Sequence, residues 1–190
     1  MDNILVATVH GRFQLLHLDH LEYILMARSR CRHLIIGITS YNIHELVKMA
    51  EAPHRFSSYN NPLTYYERTE MITLALIEAG IDRSTFSFSP FPIETPEILP
   101  DFIPISFPCF TTIREEWNRK KIKRLQDIGY EVIILKEELH KEIEGTKVRQ
   151  MIMNNDDSWK KLVPNATIQT VEKLQIRKRL IRGRSSIKTS

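Results

Sequence analysis

Two histidines, His17 and His20, stand three positions apart a few residues after Gly11-Arg12. On a helix that spacing puts both imidazoles on one face, and near a helix start they lie close to the positive end of its dipole. Gly11 lets the backbone turn and approach a ligand closely. Arg12 offers a fork of donors matched to a phosphate. Phe13 and Gln14 complete the same loop, so His10 to His20 has the makings of an anion site. A second cluster lies far along the chain, at Glu144-Gly145-Thr146-Lys147-Val148-Arg149. There Thr146 is expected to cap a helix, with Arg149 one turn on and on the same side. Backbone N–H groups, a hydroxyl, Lys147 and Arg149 describe a cradle for a polyanion.

Each cluster has a plainer alternative. A histidine pair on a helix is often incidental, and its position after an apolar run, a Gly and an Arg is what favours chemistry here. The second cluster taken alone is an ordinary capped helix with solvated charges. Neither GxGxxG nor GxxxxGKS occurs, so the dinucleotide-binding and P-loop readings fail on their defining residues. A zinc site at His17-x-x-His20 needs further ligands. His10, His33, His44, His54 and His140 show no spacing that singles one out, so no protein-held metal is expected.

The elements that must position these residues follow from hydrophobic periodicity. Residues 3–9 (NILVATV) form a short β-branched run and are expected to be a buried strand. Residues 17–30 carry apolar side chains at helical spacing, and residues 33–39 (HLIIGIT) are a second buried strand. Together they make a right-handed βαβ unit with parallel strands. Residues 40–62 are polar and irregular, a long loop with a helical turn at 43–50. Residues 64–79 open on a capping box, Thr64 with Glu67, and stop at Gly80. Strands follow at 85–91, 108–113 and 130–135. A proline-rich segment, six prolines between 90 and 108, separates the first two and cannot hold a long helix. Helices are expected at 114–128, 146–154 and 165–179. This alternation predicts an α/β fold: a Rossmann-like, doubly wound parallel sheet with helices on both faces and a C-terminal helical extension. One domain is expected, its α/β body at 1–163 and its C-terminal helix and basic tail at 164–190.

Composition bounds the classes. With 190 residues, 42% of them hydrophobic, the chain can bury a core without disulfides. Two cysteines, Cys31 and Cys109, are too few for a disulfide scaffold. No apolar run approaches the ~20 residues of a membrane span, and no signal peptide is evident, so a cytoplasmic protein is expected. The net charge of +4 is concentrated. Seven Lys or Arg and no acid follow residue 172; removing them from 27 basic residues leaves 20 against 23 acidic ones. The body is thus about −3. The tail is expected to be a solvated helix end with a frayed terminus that contributes little to stability, and a nucleic-acid partner is not favoured.

In combination these features resemble the HxGH nucleotidylyltransferase superfamily, in particular the archaeal-type nicotinamide-nucleotide adenylyltransferases. The family's GRFQPxHxGH is similar to GRFQLLHLDH, Gly11 to His20. Its IIGIGS resembles IIGITS, and its NPFTxxER resembles Asn61-Pro62-Leu63-Thr64-Tyr65-Tyr66-Glu67-Arg68. Its SGTEVR resembles Glu144 to Arg149, and its DWxxLVP resembles DSWKKLVP. The resemblance covers nearly the whole chain, from about residue 4 to residue 171. It departs at Asp19 and Glu144, where the family has Gly and Ser, and at Leu15, where it has Pro. The loop at 40–61 is about ten residues longer. The family's Trp for stacking nicotinamide is absent from 92–104, where Phe102 is the one aromatic residue. The family's SGN turn is partly matched by Glu116-Trp117-Asn118.

The resemblance implies in-line transfer of a nucleoside monophosphate from a nucleoside triphosphate, ATP by preference, onto an acceptor phosphate, with release of pyrophosphate. It makes His17, His20, Arg12 and Arg149 the catalytic set. Gly11, Phe13, Gln14, Gly145, Thr146 and Lys147 would bind nucleotide and phosphate, and Ser40, Phe102 and Asn118 the acceptor. Mg2+ would arrive on the triphosphate. A homo-oligomer is implied by analogy alone. Nicotinamide or nicotinate mononucleotide is the acceptor by resemblance. The alternatives are cytidylyl or adenylyl transfer to a smaller phosphate or phosphonate, and a nucleotide-binding module without turnover.

Overall fold

A computed structural model describes residues 4–42, 59–138 and 143–187. The opening apolar run forms β1 (Ile4–Gly11), which carries the extended backbone up to the glycine. Then come α1 (Leu18–Arg28), β2 (Cys31–Ile38) and α2 (Tyr65–Glu78). The expected capping box opens α2. The Glu67 N–H donates to Thr64 Oγ1 at 3.2 Å, and the Thr64 N–H donates to Glu67 Oε2 at 2.9 Å. Gly80, at φ +78°, ends it in the left-handed conformation that suits glycine. The prolines confine the stretch after β3 (Phe86–Pro90) to a short 3₁₀ helix, Pro96–Asp101. The order continues with β4 (Cys109–Ile113), α3 (Glu116–Asp127), β5 (Val132–Glu137), α4 (Gly145–Met153), α5 (Asn165–Lys173) and α6 (Ile176–Ile187).

The five strands form one parallel sheet in the order β3-β2-β1-β4-β5. The chain builds outward from β1 to β3, then returns to place β4 on the other side of β1. That reversal puts a topological switch point between β1 and β4, beyond whose carboxyl ends ligands bind in α/β sheets. The fold is α/β and Rossmann-like, as expected.

The chain clusters into two compact units that interleave in sequence. The first is Met1–Arg12, Glu22–Tyr41 and Ile81–Glu142, and it holds the sheet. One side of its core is Phe91, Ile93, Leu99, Ile103, Cys109, Leu125 and Tyr130. The second is Phe13–Leu21, Asn42–Gly80 and Ile143–Ser190. In it α2 packs on α5, and α6 packs on both α4 and α5. Cys31 and Cys109 are free, buried thiols. Among the described residues, no helix is long and apolar enough to cross a membrane.

Two local expectations are corrected. Residues 165–179 are not one helix. Leu174 caps α5, Gln175 takes φ +50°, and α6 restarts at Ile176 and runs through the expected frayed tail to Ile187. A new helix direction lets Ile176 and Leu180 be fully buried, which outweighs the strain of one left-handed residue. Thr146 is not a cap, because it lies inside the first turn of α4, whose N-cap is Glu144. The helical turn expected at 43–50, and His44, His54, Arg55 and His140, lie outside the described residues.

Candidate active site

The anion-site residues from Phe13 onward and the residues from Gly145 to Arg149 all fall in the second unit. Phe13 has φ +49°, a conformation uncommon for a bulky residue and typical of strained functional loops. Its ring is fully buried and meets His20 edge-on, 5.2 Å between centroids. α1 opens at Leu18, and the Leu21 N–H donates to the His17 carbonyl at 3.0 Å. The three-residue spacing does what the sequence implied. The His17 and His20 rings stack, 3.6 Å apart and 21° from parallel. Whatever its tautomer, each imidazole keeps at least one N–H donor.

Arg149 is the second half. The residue is 1% exposed. Its Nη1 donates to the Gln14 carbonyl, a residue 135 positions away. Nη2 donates to Asn60 Oδ1 at 2.6 Å and to Thr146 Oγ1 at 3.2 Å. The Tyr59 ring lies 5.7 Å from its Cζ. All these partners are neutral. Among the described residues no carboxylate pairs with Arg149, and its Nε–H has no hydrogen-bond partner. Burial pulls the group down to about 10, which still leaves it charged at neutral pH. A buried charge without a counter-charge is costly, and an anion bound beside it relieves that cost.

α4 begins one residue earlier than expected. Glu144 is its N-cap, with no side-chain cap bond, and Thr146 is inside the first turn, where its hydroxyl is drawn to Arg149. Side chains therefore leave the leading N–H groups of α4 uncapped. Gly145 is where the two clusters meet. A Cβ there would lie 3.4 Å from Arg149 Nη1, 3.7 Å from the Gln14 carbonyl oxygen and 4.0 Å from His17 Cδ2. Stacked imidazole donors, a helix N-terminus and an uncompensated guanidinium thus converge within one unit, an arrangement matched to a polyphosphate.

Other expected residues take supporting places. The Gln14 amide bonds the Leu63 backbone both ways, Nε2 to the carbonyl at 2.8 Å and the Leu63 N–H to Oε1 at 2.9 Å. It locks the loop. Lys147 is exposed and sits 3.6 Å from Glu144. Gly11 and Arg12 end the first unit's opening segment, with the Gly11 carbonyl accepting from the Thr39 N–H at 3.0 Å. Asn60 and Tyr59, which touch Arg149, were not singled out for that role. An Asn-Asn-Pro run signals a turn, and nothing local marks its partner.

The expected acceptor residues lie in the first unit. Ser40, at φ +46° just past β2, donates to Glu94 Oε1 at 3.1 Å. Phe102 is 38% exposed, with the Tyr41 ring 6.1 Å away. Asn118 Oδ1 accepts from the Arg114 and Glu115 N–H groups at 3.0 Å each, so it caps the start of α3. His10, near the carboxyl end of β1, stacks on Phe91 at 4.3 Å. Gly37 makes room for that ring, since a Cβ there would come within 2.4 Å of it.

The Cytidylyltransferase-like family model matches residues 8–151. The chain is 35% identical over 172 residues to a phosphonoformate cytidylyltransferase of Streptomyces viridochromogenes, covering 90% of this chain and 93% of that one. It is 29% identical over 171 residues to a nicotinamide-nucleotide adenylyltransferase of Saccharolobus solfataricus, covering 90% and 91%. In fold it is similar to a bifunctional NMN adenylyltransferase/ADP ribose pyrophosphatase from Francisella tularensis, complexed with AMP and a Mn ion. The TM-score is 0.70 at 18% identity, over 97% of this chain and 54% of that one, so this chain spans about half of that structure. Since the matched span runs from β1 through His17, His20 and Arg149, the chain belongs to the cytidylyltransferase-like family and is a nucleotidylyltransferase.

Proposed function

We propose that this protein transfers CMP from CTP to a compact phosphonate- or phosphate-bearing acid. The uncompensated Arg149 guanidinium, joined to the histidine pair at Gly145, is the observation that carries nucleotidylyl transfer. The acceptor oxygen attacks the α-phosphorus, the bond from that phosphorus to the bridging oxygen breaks, and pyrophosphate leaves. A phosphonate oxygen is already anionic near neutral pH, so no general base is needed. His17 and His20 donate to phosphate oxygens as charge builds, and Arg149 with the α4 N-terminus holds the leaving pyrophosphate. Among the described residues no three His, Cys, Asp or Glu side chains gather to hold a metal. Mg2+ would arrive on the donor triphosphate.

Two features support the small acceptor. One is the greater identity to the phosphonoformate enzyme, 35% against 29% for the Saccharolobus adenylyltransferase. The other is the absence of a Trp platform from 92–104. A second reading, adenylyl transfer to nicotinamide mononucleotide, draws on the Tyr41–Phe102 pair near Ser40–Glu94, since aromatic faces and a carboxylate suit a pyridinium ring. Pyrophosphate release with CTP and ATP, each crossed against phosphonoformate and nicotinamide mononucleotide, separates them. The expected result is CTP with phosphonoformate at ~10⁴ M⁻¹s⁻¹ or better in kcat/KM, the lower end for a committed enzyme. Faster NAD synthesis from ATP would reassign donor and acceptor together.

A further inference from the structure

Asp19 stands between the two histidines, where the resembling family has glycine. Its side chain is nearly buried, and Oδ2 accepts a hydrogen bond from the Ile143 N–H at 3.2 Å, across 124 positions of sequence. Ile143 directly precedes Glu144, the N-cap of α4. The next residue, Gly145, is the point at which α4 rests on His17, the Gln14 carbonyl and Arg149. One end of this bond is thus built into the first turn of the histidine helix, and the other into the lead of the helix whose N-terminus faces the phosphates. A carboxylate in the first turn of α1 also suits the helix dipole, whereas a negative charge beside a polyanion site weakens triphosphate binding.

We propose that Asp19 is a positioning residue, whose carboxylate fixes the lead into α4 so that Gly145, the α4 N-terminus and the histidine pair are in register before the nucleoside triphosphate arrives. The inference rests on the cradle being the triphosphate site. Asp19 itself contacts no phosphate. It acts through Ile143, and its cost in repulsion is offset by the preorganisation it provides.

The geometry separates two variants. Asp19→Asn keeps an oxygen for the Ile143 N–H and loses the charge. Asp19→Ala loses both. Amide hydrogen exchange of the free full-length protein reads the bond at Ile143 without any nucleotide. Kinetics then read its consequence, with whichever of CTP or ATP the wild type uses. In Asp19→Ala, Ile143 exchange is expected to speed up, and KM for the triphosphate to rise roughly tenfold, the scale of leaving one hydrogen-bond donor unpaired. The acceptor KM is expected to stay within twofold. In Asp19→Asn, Ile143 stays protected and the triphosphate KM is unchanged or lower. A loss of stability alone would leave the triphosphate KM at its wild-type value, and that result would overturn the proposal. So would an Asn variant as impaired as the Ala variant, or a lower triphosphate KM in both variants. If Asp19→Ala does not fold, a fast-exchanging Ile143 amide in the wild type overturns the proposal by itself. Failure of wild-type turnover would instead count against the proposed function, with the exchange result intact.

Discussion

His17 and His20 act as a pair because three-residue spacing and the edge of Phe13 leave their rings one arrangement, stacked at 3.6 Å. Donors held in advance are worth most where charge develops, so on the proposed function their contribution belongs to the transition state more than to the ground state. His17→Ala or His20→Ala is expected to lower kcat by roughly 10²–10³, with the dissociation constant of the triphosphate rising less than tenfold. Single-turnover kinetics beside equilibrium binding measures both. Equal losses in rate and binding would assign the pair to binding alone. The sequence singled out these histidines, Gly145 and Arg149 as candidates, because phosphate chemistry would restrict residue type at such points, and the structure brings His17, Gly145 and Arg149 together. Asn60 was not: any side-chain carbonyl placed near Arg149 would serve, and its placement depends on a loop far away in sequence.

At the scale of elements, α6 shows what periodicity misses. Apolar residues at helical spacing continue past residue 174, and glutamine rarely takes the left-handed turn that Gln175 takes, so no local signal marked the break. The basic residues expected to be solvated are partly structural. Arg179 makes paired bonds of 2.7 and 2.8 Å to Glu67, and its Nη1 also donates to the Pro62 carbonyl. Glu67 is the acid of the α2 capping box, so α6 locks the start of α2. Arg179 holds its carboxyl below the usual carboxylate range. Burial still outweighs this exposed-side ion pair. Leu180→Ala is expected to cost about 2–5 kcal/mol, and Arg179→Ala about 1 kcal/mol or less. Denaturant titrations of the two variants check the ranking, and equal losses would mean that the ion pair, rather than burial, docks α6.

For the molecule as a whole, His10 sets the response to acid. Burial, with a smaller push from the charge on Lys121, holds its imidazole well below 6.5, and neither ring nitrogen has a hydrogen-bond partner among the described residues. In the unfolded chain the group titrates normally, near 6.5. Above that pH both states are neutral and His10 has no effect. Below it the unfolded chain takes up a proton that the native state refuses, so stability falls as pH drops, by up to about 1.4 kcal/mol per pH unit. Glu67 adds to the loss only at lower pH, as its carboxylate protonates through its depressed value. His10→Phe keeps a ring to stack on Phe91 and removes the titration. Its stability is expected to be flatter than that of the wild type between pH 6.5 and 5, read from denaturation midpoints. Parallel curves would place the acid sensitivity elsewhere.

The sequence by itself determined the parallel α/β alternation, the capping box of α2 and which residues make up the two candidate clusters. Each depends on neighbours within a few residues, through strand and helix periodicity, a cap, or donors spaced along one helix face. The tertiary structure decided what depends on distant partners. It set the order β3-β2-β1-β4-β5, the burial of Arg149 against Gln14 and Asn60, and the break between α5 and α6. It also turned Asp19 toward Ile143 and Thr146 toward Arg149 rather than toward its own helix end. Local rules fix which groups are available. Which of them meet is fixed by burial and by the need to satisfy each buried polar atom, and both of those are properties of the folded chain.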